Sequence, residues 1–231
     1  MYIPEFLAAD PLQYAGILEP LRMGTARLIR ADERGALAWI EEARLHLLAA
    51  RDAQTARELL ALAENPVFLM LCDPEHISRA QDLPFRHRMT CLQALYLKNE
   101  PPVANKRLRI APPDERRLQC IIENYTMDSP EELKRRARRG ELFFAEDGMG
   151  KRVGFVGLHP EGCFGVLQVF PEMRGQGFGA ALEAFIIRFC MENGRLPYCQ
   201  VDVNNLASLN LQKKMGLELS SKPMLMLWND F

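Results

Sequence analysis

A glycine-rich segment at residues 174–179 is the part of the chain whose residue types most clearly suit a ligand. It reads Arg-Gly-Gln-Gly-Phe-Gly and lies between an apolar run ending at Phe170 and a helical pattern that continues to Cys190. Glycine has no Cβ and adopts positive φ readily, so backbone amides here can approach a ligand closely. The first turn of a helix also has N–H groups without intrahelical acceptors, which favour an anion. We therefore expect a phosphate-binding loop between a strand and a helix.

Two common kinds of phosphate loop do not fit this spacing. A Walker loop needs Lys and then Ser or Thr after its last glycine, and here Ala180 and Ala181 follow. The dinucleotide fingerprint needs glycines at positions 1, 3 and 6 after the first strand of a βαβ unit, whereas Gly175, Gly177 and Gly179 occupy positions 1, 3 and 5 late in the chain. The loop therefore belongs to another class.

Alternating strands and helices must position this loop. Apolar residues recur at helical spacing over 178–190, and Asn193 and Gly194 end that helix. The other predicted elements are a strand at 108–110, helices at 114–124 and 129–140, strands at 142–146, 152–158, 164–170 and 198–203, a helix at 205–215 and a strand at 224–228. Their order is βααβββαβαβ.

The N-terminal part repeats the later elements of this order. Strands are predicted at 26–30, 36–40 and 44–49, a helix at 52–63, a strand at 67–71, a short helix capped by Asp73, and a strand at 89–97. The resulting βββαβαβ order matches residues 141–228, either through an internal duplication or by chance, and we weigh the two equally. In a duplication the loop corresponds to residues 50–53, which contain no glycine and should not hold a phosphate in the same way.

Glycine usage and a proline pair divide the chain. Twelve of the fifteen glycines lie between Gly140 and Gly216, and none lies between Gly35 and Gly140. The segment 100–105 contains two adjacent prolines, which stiffen the chain and prevent regular pairing. We therefore predict an N-terminal domain at 1–105 and a second domain at 106–231.

Residues 106–231 resemble the GNAT superfamily of N-acetyltransferases. Arg174, Gly177 and Gly179 fill its motif of Gln or Arg, two residues, Gly, one residue, then Gly or Ala. Residues 167–173 resemble the family's fourth strand and the entry to that motif, and 205–217 resemble a later family motif. The resemblance implies an α+β fold, with a mixed, mostly antiparallel sheet flanked by helices and a shorter N-terminal half of similar βββαβαβ order.

A narrower resemblance is to the glycine N-acyltransferase-like branch. It rests on Tyr198, Val201, Asp202 and Asn205, followed by an aromatic-containing end at Trp228. That branch carries a degenerate acetyltransferase-like N-terminal half, which suits the repeat in residues 1–105 and leaves 106–231 as the acyl-CoA-binding domain.

The resemblance implies an N-acyltransferase that moves an acetyl or other short acyl group from acyl-CoA to a primary amine by direct attack. The cosubstrate is acetyl-CoA, with no metal, and the backbone N–H of Val169 polarises the thioester carbonyl. Asn205 would bind the pantetheine arm, and it could equally be a helix N-cap, which does not exclude the ligand role. The implied cofactor-binding residues are Leu167, Gln168, Val169, Arg174, Gly175, Gln176, Gly177, Phe178, Gly179, Asn205, Ser208 and Gln212.

Two positions depart from the family pattern. Many members place a tyrosine as general acid where this chain has Gln212, and the branch has a glutamate base where this chain has Cys163. Cys163, as a nucleophile, and Asp202 are the remaining catalytic candidates, although Asp202 could equally anchor the amides of Asn204 or Asn205. The alternative to an active enzyme is a catalytically impaired CoA-binding or regulatory protein of the same fold.

Ordinary pKa values indicate which acceptor tolerates these departures. A thiol pKa near about 8.5 makes the CoA thiolate a tolerable leaving group without an acid. An α-amine with a pKa of about 8 is partly neutral at neutral pH, whereas a lysine amine at about 10.4 needs a base. The acceptor is therefore expected to be a small, amino-acid-like amine.

Three further groups have structural interpretations that we favour. Glu161, beside a glycine, is expected to be a solvated turn residue rather than a substitute base. His159 is expected to be a turn residue rather than a catalyst. The basic run at 134–139 is expected to form a salt-bridged helix face with the glutamates at 131–132, rather than a nucleic-acid or phosphate site.

Composition narrows the function classes further. Lys and Arg number 29 against 30 Asp and Glu, so no basic excess suggests a nucleic-acid partner. The six cysteines show no metal or redox spacing, which is typical of free thiols in a reducing compartment. No apolar run approaches the about 20 residues that span a bilayer, and no signal-peptide pattern starts the sequence. We expect a cytoplasmic protein with a small-molecule amine acceptor, no membrane or nucleic-acid partner, and an N-terminal half that could serve as a homodimer surface.

Overall fold

The computed structural model describes residues 2–103 and 107–230. In the first stretch the elements are α1 (Glu5–Ala9), α2 (Pro11–Met23), β1 (Arg27–Asp32), β2 (Gly35–Ile40), β3 (Leu45–Ala50), α3 (Ala53–Leu62), β4 (Phe68–Leu71) and β5 (His87–Leu95). In the second they are β6 (Leu108–Ala111), α4 (Glu115–Asn124), α5 (Pro130–Arg138), β7 (Leu142–Asp147), β8 (Arg152–Leu158), β9 (Phe164–Val169), α6 (Phe178–Glu192), β10 (Tyr198–Asp202), α7 (Leu206–Met215), β11 (Glu218–Leu219) and β12 (Met224–Trp228).

The chain divides into two compact units, Met1–Leu95 with Tyr198–Phe231, and Tyr96–Pro197. The first contains a sheet in the order β1-β2-β3-β4-β12-β5-β10, with β11 also paired to β5. β3 and β4 are parallel, and the other neighbours are antiparallel. Ile17 and Leu21 of α2 pack on one face, and Ala56 and Leu59 of α3 on the other.

The last strand of the chain lies inside this sheet. β12 pairs with β4 on one side and β5 on the other. Met224 and Met226 join the core on one face, while Leu225 and Leu227 join the core on the opposite face. A strand that is apolar on both faces needs helices above and below it. The compact units therefore do not follow the sequence boundary predicted at residue 105.

The second unit contains a four-stranded antiparallel sheet in the order β6-β7-β8-β9. Phe144 of β7 packs in a core cluster with residues of α4 and α5, including Ile121 and Leu133. The neighbouring Phe143 contacts the rings of Phe185 and Phe189 on α6. Successive side chains of a strand point to opposite faces. α6 therefore covers one face of the sheet, and α4 and α5 cover the other.

The predicted α+β class with a mixed, mostly antiparallel sheet is confirmed. The predicted element order from 108 to 228 is also found, with the two-residue strand β11 added. Two features were not predicted. α1 and α2 precede the first predicted strand, and the short helix expected after Asp73 is instead two 3-10 turns, Pro74–His76 and Ala80–Asp82. Pro20 and Gly16 inside α2 weaken its helical signal.

Candidate functional site

Val169 is the last residue of β9, the edge strand of the second sheet. Phe170 donates its N–H to the Val153 carbonyl at 3.0 Å, which makes these two residues a hydrogen-bonded pair. Val169 opposes Gly154 in the next position of the ladder. Because hydrogen-bonded and non-hydrogen-bonded pairs alternate in antiparallel strands, the N–H and C=O of Val169 point away from β8. Val169 therefore presents a fixed backbone donor at the outer edge of β9.

A β-bulge shapes the same strand. Between the pairs Phe155 with Gln168 and Gly157 with Gly165, two residues of β9 face one residue of β8. Val166, within this bulge, has φ +49°, a conformation that is strained for a β-branched residue. Its side chain is nevertheless only 2% exposed. Packing thus holds β9 in a bent form, as is common beside functional sites.

The glycine loop connects β9 to α6 as the sequence predicted. Gly175 and Gly177 have φ of +74° and +82°, and a Cβ built on either would lie more than 4 Å from every described residue other than its two chain neighbours. Gly177 is the N-cap of α6, and no side chain of the described residues caps that helix end. Positive φ, open space and the uncapped N–H groups fit a phosphate group approaching the backbone. The loop could therefore hold the diphosphate of CoA.

Three side chains surround this loop. Arg174 donates from Nε to the Val169 carbonyl at 3.1 Å, and Gln176 donates from Nε2 to the Glu172 carbonyl at 3.5 Å. The guanidinium of Arg107 lies over the Phe178 ring, 5.1 Å from its centre. A helix N-terminus carries a partial positive charge, so a cation beside it is stabilised only when an anion binds there as well. Arg107 is therefore a candidate phosphate contact that sequence reasoning missed, because it lies far from the motif in sequence.

The remaining predicted cofactor residues lie on α7, in the first unit. Asn205 accepts a hydrogen bond from the Ser208 amide at 3.0 Å, so it is the N-cap of α7. Gln212 is 3% exposed, and its Oε1 accepts from the Cys199 thiol at 3.5 Å. A buried amide in this setting cannot supply a proton to a thiolate. The N-cap of α7 is thus found at Asn205, its role towards the cofactor stays a prediction, and Leu167 to Gly179 lie in the other unit.

Asp202, a candidate base at the end of β10, is engaged by its own turn. Its carboxylate accepts from the Asn204 backbone amide at 2.8 Å and from the Asn204 side chain at 3.1 Å. This is the anchoring interpretation that the sequence left open beside the catalytic one.

Glu161 is buried, so the expectation of a solvated turn residue was wrong. Only 4% of it is exposed, and it accepts a hydrogen bond from the Cys163 thiol at 3.4 Å. The positive charge that stabilises it comes from Arg136, whose pKa burial would lower but which the carboxylates of Asp128 and Glu161 raise. Cys163 is also buried, at 2% exposure. A carboxylate and a thiol therefore share the turn that leads into β9.

His159 lies in the same turn. An added Cβ on Gly165 would sit 2.4 Å from its Nε2, so the ring packs directly over that glycine. Burial lowers the pKa of His159, although the nearby Glu161 opposes that shift. The ring is therefore neutral at physiological pH and packs as part of the turn.

The basic run on α5 forms ion pairs with the helix's own first turn, as predicted. Lys134 pairs with Glu131 at 2.7 Å, and Arg135 pairs with Glu132. Arg136 also pairs with Glu132 at 3.3 Å, and with Asp128 at 2.9 Å. Its burial, at 2% exposure, was not predicted.

Neither a metal-binding cluster nor a membrane-spanning helix occurs among the described residues. Within residues 2–103 and 107–230, no cluster of three or more His, Cys, Asp or Glu side chains could hold a metal ion. In the same ranges, no helix combines the length and apolar character needed to cross a bilayer.

Comparison with known proteins finds one family similar to the second half of the chain. Residues 108–217 match the Acetyltransferase (GNAT) family. A search of curated protein sequences finds no match.

Solved structures share the fold at low sequence identity. A putative GNAT acetyltransferase from Novosphingobium aromaticivorans is 15% identical, with TM-score 0.61 over 96% of this chain and 97% of that one. A GCN5-related N-acetyltransferase from Kribbella flavida is 13% identical, with TM-score 0.57 over 94% of each chain. A tandem GNAT protein from the clavulanic acid biosynthesis pathway is 14% identical, with TM-score 0.51 over 92% of this chain and 86% of that one. Residues 108–217 therefore match the Acetyltransferase (GNAT) family, and the solved structures share the fold of this chain.

Proposed function

We propose that the protein is an acyl-CoA-dependent N-acyltransferase that moves an acetyl or other short acyl group to a primary amine. The proposal rests on one observation: the Val169 amide points outward from β9, and the glycine loop at the start of α6 follows it within ten residues of the chain. A strand-edge donor and a phosphate cradle on one short segment suit the two ends of an acyl-CoA molecule.

The proposed chemistry is direct attack. The amine nitrogen forms a bond to the thioester carbonyl carbon, the C–S bond breaks, and the amine proton passes to solvent. Negative charge develops on the carbonyl oxygen in the transition state, and the Val169 N–H is aimed where a carbonyl oxygen at the edge of β9 would accept from it. Acyl-CoA supplies the activated acyl group and a thiolate leaving group.

The acceptor in this proposal is a small, amino-acid-like amine. Asp202 and Gln212 are both engaged in hydrogen bonds within the first unit. If neither Asp202 nor Gln212 takes part in proton transfer, the enzyme should favour an amine that is already partly neutral, which an α-amine of pKa about 8 is.

A second candidate function is CoA binding without catalysis. The buried Gln212 at the position of the usual acid, and Cys163 at the position of the usual base, favour it. One structural neighbour is a tandem GNAT protein, and such an arrangement is compatible with either function and with an N-terminal half that serves only for packing.

Thiol release from acetyl-CoA, measured with a panel of amines, separates the two functions. We expect turnover with free amino acids to exceed turnover with a lysine peptide at neutral pH. Thermal stabilisation by acetyl-CoA without thiol release from any amine would favour the second function. Neither stabilisation nor thiol release would overturn both.

A further inference from the structure

Four strand ends of the second sheet meet beside the glycine loop. β6 begins at Leu108, which lies opposite Asp147, the last residue of β7. β9 ends at Val169, opposite Gly154 near the start of β8. Because neighbouring strands are antiparallel, these positions lie at one end of the sheet, and the loop that follows β9 leads from there into α6. Residues just before β6 are therefore brought to the end of the sheet at which α6 begins.

Arg107, the residue before β6, lies against the first residue of α6. Its guanidinium is over the Phe178 ring, 5.1 Å from the ring centre. Phe178 follows the N-cap Gly177 and is only 3% exposed, so its ring is a fixed surface, whereas Arg107 is exposed. A guanidinium stacks on an aromatic ring through its flat face, and its N–H donors lie around the edge of that plane. Stacking therefore orients a guanidinium without using its donors.

The ligand of the proposed function brings more negative charge than the loop can balance by itself. CoA carries a diphosphate and, on its ribose, a 3′-phosphate monoester with a charge of about −1.5 to −2 at neutral pH. Residues 171–179 contain one basic side chain, Arg174, and one acidic side chain, Glu172. Arg174 already donates from Nε to the Val169 carbonyl at 3.1 Å. The backbone N–H groups of the loop suit the diphosphate, so a cation for the 3′-phosphate must come from another part of the chain.

Two other arginines near this end of the sheet lie on the face away from α6. Arg109 is opposite Glu146, whose carboxylate binds an arginine of α4. Side chains directly opposite each other in a strand pair share a face of the sheet. Arg152 donates to the sulfur of Cys120, which is also on α4. α4 covers the face opposite α6, so Arg107 is the one of these three arginines that contacts α6.

We propose that Arg107 is a specificity-determining residue for the cosubstrate: its guanidinium, held over Phe178, binds the ribose 3′-phosphate of acyl-CoA. This inference rests on the proposed acyltransferase function and adds to it a preference for CoA over dephospho-CoA. A bound dianion offsets the repulsion between Arg107 and the partial positive charge of the α6 N-terminus. Arginine suits the task because its planar fork donates two charge-assisted hydrogen bonds to one phosphate.

A double-mutant cycle between protein and ligand tests this contact. Titration calorimetry compares acetyl-CoA with acetyl-dephospho-CoA, which lacks only the 3′-phosphate, on the wild type and on Arg107→Met. The wild type should bind the dephosphorylated ligand about tenfold more weakly, which is about 1.4 kcal/mol. Arg107→Met should lose about tenfold in affinity for acetyl-CoA and should bind the two ligands alike. Arg109→Met, an exposed arginine on the other face, is the control and should keep the wild-type ratio.

The pattern of affinities decides between the outcomes. Arg107→Lys should recover part of the discrimination, since it restores the charge and not the planar fork. An equal loss of both ligands in Arg107→Met would place the guanidinium at the diphosphate and overturn the inference. A wild type that binds both ligands equally would overturn the inference and leave the proposed function standing. A wild type that binds neither ligand would overturn the proposed function, and this inference with it.

Discussion

The carboxylate of Asp73 accepts a hydrogen bond from the backbone amide of Ala50 at 3.0 Å, and its other oxygen accepts from the Tyr14 hydroxyl at 2.8 Å. Ala50 begins the segment that sequence repetition aligns with the glycine loop. β3, which ends at Ala50, and β4 pair directly in parallel. The Cys72 amide extends their ladder by donating to the Leu48 carbonyl at 2.8 Å. In the first unit, the Ala50 amide therefore already has an acceptor, which is the Asp73 carboxylate.

Asp73→Ala should be among the more destabilising polar substitutions in the first unit. It leaves the Ala50 amide and the Tyr14 hydroxyl without their acceptor, and Asp73 is only 3% exposed. An unsatisfied buried polar group costs about 1–3 kcal/mol, so we expect the free energy of unfolding to fall by about 2–4 kcal/mol. Urea denaturation measures this loss.

Asp73→Asn and Asp82→Asn calibrate that measurement. Asparagine keeps one acceptor oxygen at position 73, so its loss of stability should be smaller than that of alanine. Asp82 is exposed, and its replacement should change stability by less than about 0.5 kcal/mol. A similar stability for Asp73→Ala and Asp82→Asn would contradict the role assigned to this carboxylate.

Local signals in the sequence predicted local structure well. Ser129 and Asn205 cap α5 and α7 through the amides three residues ahead, as their types and positions indicated. Gly216 follows the predicted helix 205–215 and ends α7 with φ +83°. These features depend on a few neighbouring residues, so a single sequence contains them in full.

Features that depend on distant residues were missed. The position of β12 between β4 and β5 follows from which strands can cover both of its apolar faces, and no local pattern encodes that choice. Glu161 looked solvated because its neighbours form a turn, yet Arg136 on a preceding helix provides the charge that lets it be buried. The sequence thus predicts the position of the glycine loop between a strand and a helix, and it does not predict the burial of Arg136 and Glu161.

Gly177→Ala should weaken acetyl-CoA binding far more than it weakens the fold. Gly177 has φ +82°, and Gly150, in the turn between β7 and β8, has φ +80°, with open space around both Cβ positions. Alanine should therefore cost about 1–2 kcal/mol of stability at either position. Only at Gly177 would the methyl group enter the proposed phosphate space.

Titration calorimetry should give at least about a tenfold higher Kd for Gly177→Ala, which is about 1.4 kcal/mol, and an unchanged Kd for Gly150→Ala. Equal affinities would place the diphosphate elsewhere.

Val169→Pro tests the backbone donor directly. Proline removes the N–H, and at this position the N–H points away from β8, so the ladder keeps its hydrogen bonds. We expect kcat to fall about 10²–10³-fold, as when an oxyanion donor is lost, while acetyl-CoA binding persists.

Gln168→Pro is the matched control for folding, because Gln168 and Phe155 form a hydrogen-bonded pair and the Gln168 N–H faces β8. That variant should lose the fold. A folded Val169→Pro protein with normal kcat would remove Val169 from the mechanism.

His46 should make the protein less stable in mild acid. Burial lowers the pKa of His46, with nearby Arg27 adding to the shift. The unfolded chain therefore binds a proton near pH 6.5 before the folded protein does, so stability is full above that pH and falls below it, by at most about 1.4 kcal/mol per pH unit.

His46→Phe isolates this contribution. The His46 ring packs against the Trp39 ring at a tilt, with ring centres 4.4 Å apart, and its Nδ1 has no hydrogen-bond partner within the part of the chain that the structure describes. Phenylalanine keeps the aromatic contact and removes the titration, so stability at pH 7.5 should be equal or higher. Between pH 6.5 and 5 the unfolding free energy should decline less steeply than in the wild type. Some slope should remain, because burial also lowers the pKa of His159. Urea midpoints followed by tryptophan fluorescence across this range measure both slopes, and identical slopes would mean that His46 takes up its proton equally in the folded and unfolded chains.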